Sequence, residues 1–135
     1  MKAAYPTKVL IAWGECISGN NDITKWLMQN GYPELGIFRY ALHNQDESRE
    51  WLMKNGHPEL MAVINGAEGN LQALKWLETH GFSVLVHVAR VGDGDEKSFA
   101  WLKAKSPEVA MVAKKIQTVK DQIQANNEDV HKISG

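Results

Sequence analysis

Tryptophan stands at positions 26, 51, 76 and 101, and each is followed by leucine, so a Trp-Leu pair recurs at a constant interval of 25 residues. A fixed period of this size, carried by the rarest residue type, means that the chain is a stack of equivalent supersecondary units. Neighbouring positions keep the same phase. WLMQNGYPEL from Trp26 and WLMKNGHPEL from Trp51 differ at two of ten places. Gly31, Gly56 and Gly81 recur, with Ser106 in the fourth slot, and Leu10, Leu35, Leu60 and Leu85 share another phase. Trp13, Phe38, Val63 and Val88 follow those leucines by three residues.

Each unit reads as two short helices. In Asn70 to Gly81, Leu71, Leu74 and Leu77 fall on one helical face, Asn70 can cap the start and Gly81 can take the left-handed position past the end. Acids at Asp22, Asp46 or Glu47, and Asp95 or Glu96 open the equivalent helices, where they complement the dipole. A second helix begins at Pro33-Glu34 and Pro58-Glu59, with proline in the first turn, where its missing N–H costs nothing. Leu35, Phe38 and Leu42 form its apolar face, as do Leu60, Val63 and Ala67 in the next unit. Helices of two to three turns cannot bury such faces alone, so the units must stack. The expected fold is all-α: an α-solenoid of about four and a half stacked helix pairs, forming a slab or gentle arc on the order of 40 Å long.

The ends depart from the repeat, as capping requires. The chain opens on an equivalent of the second helix, around Thr7 to Ile17. It closes on a long helix from Pro107 to about Asn126, with Val109, Val112, Ile116, Val119 and Ile123 in one apolar stripe. The single domain is expected over residues 1–126, with a capping helix at 107–126 and a flexible tail at 127–135.

Lys and Arg number 15 and Asp and Glu 16, a balance that gives no nucleic-acid footprint. No apolar run is long enough for a membrane span or shaped like a signal peptide, and the one cysteine, Cys16, needs no oxidising compartment, so the expected location is cytoplasmic. Cys16 is expected to pack as a small apolar residue, not to act as a nucleophile. The five histidines show no His-x-x-x-His spacing, and Gly92-Asp93-Gly94-Asp95-Glu96 lacks the distant Glu of a calcium loop. No phosphate-binding or dinucleotide motif is present, so neither metal nor cofactor is expected, nor is enzymatic activity. The repeated tryptophans are expected in the inter-repeat core, their leucines sharing the burial.

The segment Gly69 to Gly81, GNLQALKWLETHG, resembles the second helix of an ankyrin repeat, and Ala62 to Ala67 loosely resembles the first. The ankyrin period is 33 residues, and the shorter period here omits the projecting β-turn finger. No TPLH-like tetrapeptide opens any second helix. The resemblance implies an ankyrin-like solenoid without fingers, used as a protein-binding scaffold.

A binding surface is expected on the side of the second helix that faces away from its core stripe. Arg39, Tyr40 and His43 stand there in the first full unit, and Asn65, Arg90, Lys114 and Lys115 in later ones. Arginine and tyrosine suit interfaces. The expected function is a non-enzymatic protein–protein interaction module. The alternatives are a small-molecule binder or enzyme using the solenoid groove, and a structural element that self-associates through the last helix.

Overall fold

The computed structural model describes residues 5–134, with side chains placed through residue 128. The described residues form nine α-helices: α1 Thr7–Ile17, α2 Asn21–Gln29, α3 Pro33–Leu42, α4 Asp46–Lys54, α5 Pro58–Ala67, α6 Leu71–Thr79, α7 Ser83–Gly92, α8 Glu96–Lys105 and α9 Pro107–Ser134. The flexible tail expected over 127–135 lies mostly outside the residues whose side chains are described; the helical backbone continues through it to Ser134.

Local chemistry sets the boundaries. The side chains of Asn20, Asn70 and Asp95 accept backbone N–H groups at the starts of α2, α6 and α8. Pro33 and Pro58 occupy the first turn of α3 and α5. Gly31, Gly56 and Gly81 take positive φ after α2, α4 and α6. Ser106 stands in extended backbone instead, and its hydroxyl accepts the Val109 N–H at 3.3 Å. That one residue ends α8 and caps α9, which is why Pro107 arrives one place early. A second series of left-handed residues, Gly19, Asn44, Gly69 and Gly94, ends α1, α3, α5 and α7.

The helices form two layers. The odd-numbered helices carry the core: α1, α3, α5 and α7 each bury six or more residues. The even-numbered helices lie outside, and each touches only the two inner helices beside it in sequence. The inner layer curls round: α9 packs against α1 as well as against α7 and α8, and touches α3 and α5. The solenoid therefore closes on itself and does not run as an open slab or arc. Small residues explain the curl. A Cβ on Gly92 would lie 2.7 Å from the Ala67 Cβ, and one on Gly66 would lie 2.9 Å from the Ala89 Cβ, so α5 and α7 approach closely. Between α1 and α3 stand Trp13 and Phe38, edge to face at 5.2 Å. Inner helices that draw together while outer helices stay apart bend the stack inward.

Two expectations about burial are corrected. The leucine of each Trp-Leu pair, Leu27, Leu52, Leu77 and Leu102, is fully buried, whereas Trp26, Trp51, Trp76 and Trp101 are half-buried at the layer boundary. An outer helix meets the inner layer along one narrow stripe. The leucine occupies it, and the tryptophan, turned about 100° away, rests on side-chain partners, the Lys8 ammonium for Trp26 and aromatic rings for the others. Trp51 stacks with His57, Trp76 with His80 and Phe82, and Trp101 with His87. Leu71, expected on the apolar face of α6, is exposed at its first turn. The α9 stripe is apolar as read, but Val109, Val112, Ile116 and Val119 are buried within the chain and Ile123 is half-buried. Most of that stripe is covered by α1, α7 and α8 and is not an exposed apolar face.

Candidate functional site, a cationic cleft

The inner helices α3, α5 and α7 run in parallel register, so their N-termini gather at one end of the ring and their C-termini at the other. Glu34 and Glu59, in the first turns of α3 and α5, are buried at the first end. The Tyr5 phenol lies beside them, pushed well above its ordinary pKa by burial and then by the charges of Glu34 and Glu59. His57 Nδ1 stands 3.9 Å from Glu59 Oε1. Carboxylates suit this end because they face helix N-termini.

At the C-terminal end the charges separate: a groove over the ends of α5 and α7 holds Glu68, Asp93 and Asp121 with Lys120, and the cleft beside it is cationic. This cleft, of about 510 Å³, opens between the end of α1, α3 and the middle of α9. Arg39, His43, Lys114 and Lys115 line it, over an apolar floor of Ile17, Met111 and Val119, and no carboxylate lines it. Four of the seven residues expected to bind thus come together from two helices far apart in sequence. Tyr40 stays beside them, with the Arg39 guanidinium 5.3 Å from its ring centroid. Asn65 is elsewhere, in an outer groove with Met53, Met61 and Trp76. Arg90 lies in another, with Glu78, Ser83 and His87. These two do not line the cleft, because the ring turns successive units away from each other.

Arg39 is held in place. Its Nη1 donates to Asn21 Oδ1 at 2.8 Å and to Thr24 Oγ1 at 3.0 Å. The Thr24 hydroxyl donates to the Asn20 carbonyl and lies 3.0 Å from Cys16 Sγ. Cys16 is fully buried, and burial pushes its thiol up, offset in part by Thr24 and Arg39, so it is a packing residue that ties α1 to α2. Gly19, at φ +105°, brings the chain under the Arg39 guanidinium with no side chain between them. His43, on the exposed lip, is held below its ordinary pKa by partial burial, then by Arg39 and Lys120, and is neutral at pH 7.

Sequence reasoning missed Asn21, Thr24 and Gly19 as the support of this cleft. The left-handed series at 19, 44, 69 and 94 keeps the 25-residue period and could have located it. It also missed the clamp beside the cleft. Glu68 accepts Arg49 Nη2 at 3.0 Å and pairs with Lys120 Nζ at 3.5 Å, joining α4 and α9 at the end of α5. No three His, Cys, Asp or Glu side chains among the described residues gather as a metal site, and no helix among them is long and apolar enough to cross a membrane. No family model, curated protein or solved structure matches this chain.

Proposed function

We propose that this chain is a non-enzymatic protein-binding module, an ankyrin-like short solenoid without fingers, and that the cationic cleft is its binding face. One observation carries the reading: Arg39 of α3, His43 just past its end, and Lys114 and Lys115 of α9 line one open, concave surface. Helices supply Arg39, Lys114 and Lys115, and the cap residue of α3 supplies His43, so the backbone is ordered before binding. The one thiol is buried and held protonated, away from the cleft surface.

The test is capture from a lysate of the source cells by the native chain and by H43A/K114A/K115A, with circular dichroism to show that both are folded. A protein enriched by the native chain and lost in the variant is the expected result. Equal capture by both would sink the cleft as the binding face. A second reading has a specific observation behind it: a 510 Å³ concavity is also the size of a small-molecule site. That reading predicts a metabolite, and no protein, retained by the native chain.

A further inference from the structure

We infer that the partner presents an acidic segment, a run of carboxylates in extended or loop conformation, to the Arg39–Lys114–Lys115 cleft. This rests on the cleft being the binding face, and it adds the chemistry of what binds there.

The charge of the cleft is unanswered within the described residues. Among the described residues, Arg39, Lys114 and Lys115 pair with no carboxylate, while Lys120 and Arg49 close by are both answered by Glu68. Single unpaired lysines also stand elsewhere on the surface, so what sets this cleft apart is that three unpaired cations share one concave surface. Cations that line one cleft repel each other; the Tyr40 and Phe99 rings ease the charge of Arg39 and Lys114, but among the described residues no carboxylate does.

The positive charge could instead serve the dipoles of α1 and α3, whose C-termini end here. The hydrogen bonds argue against that. The last carbonyls of α1 are met by backbone N–H groups, Gly19 to Cys16 and Asn20 to Glu15. Those of α3 are met by Asn44 to Ala41 and Gln45 to Tyr40. Arg39 spends Nη1 on Asn21 and Thr24, and Lys114 donates to Gln117, so neither caps a helix end. The rest of the guanidinium is free for a carboxylate, which its planar fork fits.

The shape favours a segment over a compact ion. The cleft is open, about 510 Å³, and its cations come from two helices, α3 and α9. The apolar floor of Ile17, Met111 and Val119 suits the methylene stems of glutamates whose heads reach the rim. Nucleic acid fits less well, because the whole chain carries a net charge of −1 and the opposite end of the ring is acidic.

The probe is a fluorescein-labelled hexaglutamate peptide, followed by anisotropy against the full chain, with hexaglutamine as its neutral counterpart. Hexaglutamate should bind and hexaglutamine should not, and raising salt from about 0.05 M to 0.3 M should weaken binding several-fold. K114Q/K115Q should bind at least about threefold more weakly. K25Q/K75Q, which removes the same charge from exposed outer helices, should change affinity by less than about twofold. Equal losses in the two variants would overturn the proposal, since the effect would then be one of net charge. Tighter binding of a DNA duplex than of hexaglutamate would overturn it in favour of nucleic acid. Full displacement by about 1 mM inorganic phosphate would overturn it in favour of a small-anion pocket. If the native chain captures a protein through the cleft but hexaglutamate does not bind, this inference fails and the proposed function stands.

Discussion

Met111 of the last helix lies over Gly14 of the first, so close that a Cβ on Gly14 would come within 2.9 Å of the Met111 methyl. This contact closes the solenoid. It also places Met111 and the neighbouring Lys115 of α9 beside the end of α1, on one wall of the cationic cleft.

Glycines at helix contacts should differ in what they tolerate. At Gly14 the obstacle is the end of a flexible methionine, so G14A should cost less than about 1 kcal/mol. At Gly92 the obstacles are Ala67 Cβ, fixed to the backbone, and the buried Ile116 Cγ2, so G92A should cost about 1–3 kcal/mol. Urea denaturation of both variants checks the order, and a G14A loss equal to that of G92A would show that the closing contact is as rigid as the α5–α7 contact.

Ile116 is fully buried where α9 meets the inner ring. I116A should lower stability by about 2–5 kcal/mol and leave a single cooperative transition, because closure joins both ends of the stack in one core. Far-ultraviolet dichroism and tryptophan fluorescence should report the same midpoint. Separate midpoints would mean that the repeats unfold piecemeal, as in an open array.

The Trp-Leu pairs predict a split in fluorescence. Trp13 is 2% exposed, while the four repeat tryptophans are half-buried. Iodide should quench most of the emission and leave a protected component, which a W13F variant should abolish.

Asn44 occupies a left-handed turn, φ 66°, where its counterparts are glycine, and its Oδ1 accepts from Arg49 at 2.8 Å. N44A should destabilise the chain by about 1–2 kcal/mol, through the strain of a Cβ without asparagine's local bonding. N44G should cost less, since it removes only the Arg49 bond. Thermal melts of the pair check the order.

His43 and His87 are each held below the ordinary histidine value by burial first, then by Arg39 and Lys120 for His43 and by Arg90 for His87. The unfolded chain therefore takes up protons more readily just below pH 6.5, and stability should rise as pH goes from about 5 to 7. An acidic segment in the cleft should raise the His43 value. Proton NMR of the histidine ring signals, with and without hexaglutamate, measures both effects.

Much of this was legible along the chain. The 25-residue interval, the prolines at 33, 58 and 107 and the glycines at 31, 56 and 81 mark the helix boundaries, because caps and first turns are chosen within a few residues. Arg39, His43, Lys114 and Lys115 were legible as residues turned from the core stripe. That Tyr40 flanks the cleft while Asn65 and Arg90 face other grooves was not, since separation in space depends on how far each unit rotates.

Period, helix content, the buried leucines and the apolar stripe of α9 follow from the sequence alone, since each rests on spacing within one or two helical turns. Closure, and with it the cleft, was decided only by the tertiary structure. Curvature is the summed difference between inner and outer helix spacings. That sum turns on contacts such as Gly92 against Ala67, between residues 25 apart that no local pattern pairs.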